Sequence, residues 1–208
     1  MRTKLLFLPL MLLMLAACEQ TPDTDKLDND YLVYTNYDKG TDYNLIENFY
    51  VIDSILLIND QSTPKYWNDA ASQKIIAEFA NNLDGYGYNR VDTPDEADAI
   101  MQLSYVSSTY YYYDYVNGNP WWGSYPGYWN WNSYGWYYPF FVPYTFSTGS
   151  IICELIDMRE RAVDTNKYPV VWNAYICGLL NGNSLSMSKT LDGINQAFKQ
   201  SPYLKRAE

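Results

Sequence analysis

The chain has 208 residues with 24 acidic and 14 basic side chains, a formal net charge of −10, and no histidine. A surface this acidic disfavours nucleic acid as a partner, because contacts to phosphate need basic residues. Without histidine the commonest general base and metal ligand are missing, so the sequence predicts a protein that is not an enzyme and holds no metal or cofactor.

The first 17 residues are typical of a lipoprotein signal peptide. Arg2 and Lys4 precede the apolar run from Leu5 to Leu15, which is followed by two alanines and Cys18. Eleven apolar residues are too few for a membrane-spanning helix, which needs about 20. The pattern predicts cleavage before Cys18 and lipidation of its thiol, so the protein is held in a membrane through lipid.

Residues 18–30 are predicted to form a lipidated acidic tether. Positions 19–30 read EQTPDTDKLDND, with five acids, one lysine and little to bury. Without Arg2 and Lys4 the mature chain has 12 basic and 24 acidic side chains, a net charge of −12, so anionic headgroups should repel it. Glu19, rather than an aspartate, after the cysteine favours the outer membrane of a Gram-negative cell envelope; the periplasmic face and the cell surface both stay open.

Residues 31–208 are predicted to form one α/β domain. Runs rich in β-branched and aromatic residues predict five strands. Two runs with apolar residues at helical spacing predict helices from Trp67 to Asp84 and from Ser186 to Gln200. The element order predicts a two-layer sandwich, a mostly antiparallel sheet covered by two helices. The five strands are Tyr31 to Thr35, Tyr50 to Ile58, Ala99 to Tyr105, Ser150 to Asp157 and Pro169 to Cys177.

A long aromatic insertion, residues 105–144, separates the third and fourth predicted strands. It contains 19 aromatic residues in 40 positions, and Asp114 is its one charged residue. Three interpretations stay open: flat platforms for sugar rings, a contact surface for a protein, or a satellite core folded over the sheet. The candidate ligand-binding residues are Trp121, Trp122, Tyr125, Tyr128, Trp129, Trp131 and Trp136.

Acidic and cysteine residues supply the other candidate sites. Paired carboxylates could hydrolyse glycosides or bind calcium, although acids at strand ends are usually only solvated. Cys153 and Cys177 fall nearly opposite each other if their strands form a hairpin around 161–167, so they are a candidate disulfide; two buried free thiols are the alternative. The acids concerned are Asp92, Asp95, Glu96, Asp98, Glu154, Asp157 and Glu160.

Four short motifs, in this order along the chain, together resemble a family of bacterial lipoproteins called domain of unknown function 4136. The likeness covers about residues 31–198. It implies a lipid-anchored α/β envelope domain with the tryptophan of the fifth strand in the core, and it supplies no catalytic residue. The motifs are the helix Ile75 to Leu83 with Gly85-Tyr86-Gly87-Tyr88, then Glu96-Ala97-Asp98-Ala99, Glu154-Leu155-Ile156-Asp157 and Val171-Trp172-Asn173-Ala174.

The sequence as a whole favours a lipid-anchored envelope protein that binds a partner protein or a glycan through its aromatic insertion. A purely structural envelope component is the alternative, and a carboxylate-based glycan hydrolase is the weakest reading. No nucleic-acid partner is expected.

Overall fold

The computed structural model describes residues 31–58, 65–107, 135–140, 147–159, 162–163 and 166–207. The predictions for the signal peptide, for Cys18, for the tether and for Glu160 lie outside these ranges. Among the described residues, no helix is both long enough and apolar enough to cross a membrane.

The described chain forms a nine-stranded sheet, a small hairpin and two α-helices. The sheet contains β1 Leu32–Tyr37, β2 Asn48–Val51, β3 Ile55–Ile58, β4 Lys65–Trp67, β5 Asn89–Arg90, β6 Ala99–Val106, β7 Trp136–Tyr137, β8 Ser150–Asp157 and β9 Tyr168–Cys177. The hairpin consists of β10 Leu180–Asn181 and β11 Ser184–Leu185. The helices are α1 Ala70–Gly85 and α2 Met187–Lys199, and short 3-10 turns lie at Tyr43–Leu45, Pro94–Glu96 and Pro202–Leu204.

The centre of the sheet is antiparallel in the order β1, β9, β8, β6. On the other side of β6, both β2 and β3 run parallel to it. The predicted sandwich of a sheet and two helices is therefore confirmed, with a mixed sheet of more strands than expected. Both helices lie within a few residues of their predicted bounds.

One predicted strand, Tyr50 to Ile58, is divided in two. Val51 pairs with Met101 and Leu56 pairs with Ser104, so five steps along this chain match three steps along β6. The two extra residues leave the ladder between β2 and β3. The sequence from Tyr50 to Ile58 is largely apolar throughout and so gives no sign of this interruption. The break is set by how the two strands pair with β6 and not by the local sequence.

The helices cover one face of the sheet, which we call the helix-covered face. Trp172 of β9 packs against Phe198 of α2 with ring centroids 5.2 Å apart, and Phe198 also meets Phe79 of α1 at 6.2 Å. All three side chains are fully or almost fully buried. The apolar spacing of both helices therefore serves one shared core, and Trp172 is a core residue as the family resemblance implies.

Local sequence explains where α1 begins and how closely α2 approaches the sheet. The Asp69 carboxylate accepts hydrogen bonds from the backbone N–H groups of Ala71 and Ser72, and the Ser72 hydroxyl accepts from the Asp69 N–H, which together form a capping box. In α2, a Cβ added at Gly193 would lie 2.6 Å from Cγ2 of Ile176 on β9. Only glycine permits this helix-to-sheet distance.

Asp98 gives a physical reason for one of the family motifs. Its carboxylate oxygen Oδ2 accepts hydrogen bonds from the backbone N–H groups of Glu47, at 2.8 Å, and Asn48, at 2.9 Å. Its backbone carbonyl accepts from the N–H of Met158. Asp98, directly before β6, therefore links the start of β6 both to the start of β2 and to the end of β8.

The outer edge of β1 carries a side chain from the C-terminal end of α2. Because the N–H of Asp38 donates to the carbonyl of Val171, alternation along β1 turns the backbone groups of Val33 and Thr35 away from β9. The Gln200 amide nitrogen donates to the Val33 carbonyl and to the Thr35 hydroxyl, each at 3.2 Å.

Candidate functional site: the aromatic-covered face of the sheet

The second face of the sheet is covered by residues 135–140, the described end of the aromatic insertion, and we call it the aromatic-covered face. This segment enters the sheet through β7, which pairs in parallel with the start of β9. Its side chains pack into a second apolar cluster, separate from the core beneath the helices. The buried members are Leu56, Ile58, Val106, Trp136, Tyr138, Ile152, Ile156, Tyr168, Val170 and Tyr175.

A row of polar side chains crosses the three central strands beneath this cluster. Gln102 of β6 aligns with Glu154 of β8, which aligns with Asn173 of β9. All three have no exposed surface. Glu154 lies two residues from both Ile152 and Ile156 on β8 and so points to the same side as they do, which places the row on the aromatic-covered face.

The Glu154 carboxylate is the centre of this row. Its oxygen Oε1 accepts a hydrogen bond from the Trp136 indole N–H at 3.2 Å and another from the Tyr138 hydroxyl. Its second oxygen, Oε2, accepts from the Gln102 amide at 3.3 Å. The carboxylate therefore joins the sheet on one side to the aromatic insertion on the other.

A second polar group holds the point where the insertion rejoins the sheet. The Tyr175 hydroxyl accepts a hydrogen bond from the backbone N–H of Ser147 at 2.7 Å and from the Ser150 hydroxyl at 3.1 Å. Burial raises the pKa of Tyr175, so its hydroxyl keeps its proton at neutral pH. The Glu154 bonds thus hold the insertion itself, and the Tyr175 bonds hold the chain just after it.

Two buried polar atoms on β6 have no hydrogen-bond partner among the described residues. They are the Gln102 side-chain oxygen and the Ser104 hydroxyl, and both residues are fully buried. An unsatisfied buried polar atom costs about 1–3 kcal/mol of folding free energy. Apolar side chains at these two positions would avoid that cost, so packing alone does not explain why they are polar.

The structure changes the interpretation of Trp136. Only 3% of it is exposed, and its N–H is bonded to Glu154, so it is a core residue and cannot offer a flat platform to a sugar ring. The other six candidates lie outside the described residues: Trp121, Trp122, Tyr125, Tyr128, Trp129 and Trp131. For the described part of the insertion, the satellite-core interpretation fits the geometry.

Cys153 and Cys177 are both free thiols, and the premise that they lie opposite each other does not hold. Cys153 aligns with Ala174, while Cys177 aligns with Leu32 of β1. Cys153 belongs to the core beneath the helices and Cys177 packs against the aromatic-covered cluster, so their side chains leave opposite faces of the sheet. Burial raises the pKa of both thiols.

The candidate carboxylates do not come together as a site. Asp92, Asp95 and Glu96 are exposed, as expected for solvated acids. Asp157 forms a bidentate ion pair with Arg159. The described residues contain no group of three or more acids or cysteines that could hold a metal ion.

Glu154 departs from the sequence-based expectation, because it is a fully buried acid rather than a solvated one. The signal was present in the sequence: β8 reads SIICELID, and an acid within an otherwise apolar strand must be buried with partners or lie on an exposed face. Only the three-dimensional structure identifies Trp136 and Tyr138 as those partners.

Comparison with known proteins identifies the family. The family model for the domain of unknown function DUF4136 matches residues 33–203. The chain belongs to this family. A crystal structure of a DUF4136 family protein from Bacteroides thetaiotaomicron shares 38% sequence identity with a TM-score of 0.74, covering 86% of this chain and 99% of that one.

The family is described as a domain of unknown function. A PelC dodecamer from Paraburkholderia phytofirmans is similar at 17% identity and a TM-score of 0.38, over 86% of this chain and 99% of that one. No curated protein matches the chain.

Proposed function

We propose that this DUF4136 domain is a lipid-anchored protein of the outer membrane that binds a partner protein through its aromatic insertion, without catalysis. Lipid on Cys18 holds the domain at the membrane, the acidic tether separates it from the headgroups, and the sheet carries the insertion. Protein interfaces favour tyrosine and tryptophan and are depleted of charge at their centre, which is the composition of residues 105–144.

The observation that carries the proposal is the attachment of both ends of the segment 108–134. Before it, Ser107 donates hydrogen bonds from its N–H and its hydroxyl to the Ile58 carbonyl, each at 3.0 Å. After it, the Gly135 carbonyl accepts from the N–H of Tyr168 at 3.1 Å. Fixed ends reduce the conformational entropy that a binding segment loses when it meets a partner.

The direction of the strands supports the same proposal. Ser107 follows the end of β6 that pairs with the start of β8, whereas Gly135 lies beside the start of β9, at the opposite end of the sheet. The two attachment points therefore lie at opposite ends of the central strands, so the contacts that hold the insertion are spread along the sheet and not gathered at one end.

The anchor is tested by metabolic labelling of cells with a radioactive fatty acid. The wild-type protein should incorporate label and remain with the outer membrane after cell lysis, while Cys18→Ser should lose both properties. Cys177→Ser is the matched control and should behave as wild type. Labelling of the Cys18→Ser protein would contradict the anchor.

The binding surface is tested by photo-crosslinking in living cells. A photoreactive phenylalanine analogue at Trp129 should give a discrete crosslinked protein product. The control places the same analogue at Leu45, which is 64% exposed in the 3-10 turn between β1 and β2, and it should give no such product. Crosslinks only to glycan at position 129 would favour the glycan alternative, and equal products at both positions would reject a specific surface.

A further inference from the structure

We propose that Glu154 is a positioning residue whose carboxylate fixes the aromatic insertion to the sheet. Trp136 and Tyr138 both donate to Oε1, and Gln102 donates to Oε2. The two donors from the insertion lie two residues apart on one short segment, and the third belongs to the sheet. The carboxylate is thus shared between the scaffold and the segment that it carries.

The chemistry of the group suits this role. A carboxylate offers two oxygens that only accept hydrogen bonds, and bonds to an ionised acceptor are stronger than neutral ones. One oxygen can therefore serve an indole and a phenol from the same segment. A serine or threonine at position 154 has one oxygen and a shorter reach, and an apolar residue would leave all three donors without their acceptor.

The geometry argues against catalysis by Glu154. An acid or base must come within hydrogen-bond distance of a proton on its substrate. Glu154 has no exposed surface, and each of its oxygens already accepts a hydrogen bond from the protein. The buried Glu154 carboxylate therefore holds the conformation of the insertion and does not transfer protons to a substrate.

Positioning by Glu154 has a consequence that general core packing does not have. The helix-covered core is a separate apolar cluster, and Phe198, Phe79 and Trp172 are among its members. Loss of the Glu154 bonds should therefore free residues 135–140 while that core stays closed. This inference does not depend on the proposed partner, since it concerns the isolated protein.

Hydrogen exchange with mass spectrometry on the purified full-length protein in detergent tests the inference. Glu154→Leu should increase exchange in peptides covering 135–140 about tenfold or more, because the Trp136 indole N–H and the Tyr138 hydroxyl lose their hydrogen bonds to Glu154. Exchange in α1 should stay at the wild-type value. Chymotrypsin should cleave within the insertion faster by a similar factor.

The matched control is Ser201→Ala, which removes the hydroxyl that accepts from the buried Trp172 indole at 3.0 Å on the helix-covered face. It deletes the same kind of bond and should leave exchange at 135–140 unchanged. If Glu154→Leu does not fold, Tyr138→Phe removes one donor oxygen alone and should give a smaller increase at the same peptides.

A rescue separates positioning from simple packing. Adding Trp136→Phe and Tyr138→Phe to Glu154→Leu removes the two donors on the insertion and leaves the Gln102 amide as the one donor that has lost Glu154, so protection at 135–140 should return in part. Wild-type protection in Glu154→Leu alone, or an equal loss in α1 and in 135–140, would overturn the proposal. Failure of the crosslinking experiment would leave this result unaffected and would reject only the proposed function.

Discussion

The two faces of the central sheet are covered in different ways. On the helix-covered face, two amphipathic helices bring regularly spaced apolar side chains to a dry core. On the aromatic-covered face, an irregular segment rich in tyrosine and tryptophan packs over apolar residues and over the polar row of Gln102, Glu154 and Asn173. The helices pack on their face through the regular spacing of their apolar residues. The aromatic segment is held on the other face by a few specific hydrogen bonds, such as those to Glu154. We expect the helix-covered face to contribute most of the folding stability, and the aromatic-covered face to determine how the aromatic insertion is held for contact with a partner.

The largest effect should come from the centre of the helix-covered core. Phe198→Ala removes a ring that contacts Phe79, Tyr86 and Trp172, and we expect a loss of about 3–5 kcal/mol in the free energy of unfolding. Urea denaturation measures it. The matched change on the other face is Phe140→Ala, whose half-buried ring contacts Tyr138, and it should cost less than half as much. Equal losses would remove the distinction between the faces.

The close approach of α2 to the sheet should give the next largest effect. Gly193→Ala places a Cβ against Ile176 and should cost about 1–3 kcal/mol, because the helix or the strand must shift. Gly85→Ala is the control, since an added Cβ there meets nothing within 4 Å, and it should be neutral or slightly stabilising. Thermal unfolding of the two variants checks the pair, and a neutral Gly193→Ala would show that the approach is not tight.

The cysteines report on the two faces separately. Cys177 is half buried at the margin of the aromatic-covered face, while Cys153 is fully buried beneath the helices. An alkylating reagent at pH 8 should modify Cys177 at least about tenfold faster than Cys153, although burial raises the pKa of both thiols and slows both reactions. Mass spectrometry after timed quenching measures the order. Two unreactive cysteines in denaturant without reductant would instead indicate a disulfide.

The smallest effect concerns pH and the start of α1. Hydrogen bonds from the Ser72 backbone, from Trp67 and from the Ala71 backbone lower the pKa of Asp69 below its ordinary value of 3.8. A lowered folded pKa means that the cap contributes fully above the ordinary value and is lost as the pH falls through the folded pKa. The difference in melting temperature between the wild-type protein and Asp69→Ala should therefore be constant near neutral pH and shrink below about pH 4.

Asp84→Ala is the control for the pH experiment. It removes an exposed acid at the C-terminal end of the same helix, where a negative charge opposes the helix dipole, so it should not lower the melting temperature at neutral pH. A difference for Asp69→Ala that stays constant down to pH 2 would contradict the cap.

Sequence patterns predicted the parts of the fold that local rules control. The spacing of Ile75, Phe79 and Leu83 predicted α1, and the apolar runs predicted β6, β8 and β9. The division between β2 and β3 and the short strands β5 and β7 depend on partners distant in the chain, so no local pattern identifies them.

The candidate site was harder to predict for the same reason. The sequence identified the aromatic insertion and made Trp136 one of its candidate ligand-binding residues, but it left a binding surface and a satellite core open, because composition alone does not distinguish an exposed aromatic residue from a buried one. Glu154 was grouped with acids at strand ends, whereas its partners lie 16 and 18 residues earlier in the insertion. Only the packing of the insertion on the sheet reveals that the acid is buried.

Gln200 has a consequence for how copies of this protein meet at high concentration. An open edge strand is a template onto which another chain can add a strand, and lateral addition leads to aggregation. At β1 the Gln200 amide already occupies the Val33 carbonyl, so an incoming strand must first displace it. A neighbouring copy therefore gains less by extending the sheet at this edge, and a high local concentration of the protein carries a smaller risk of edge-to-edge association.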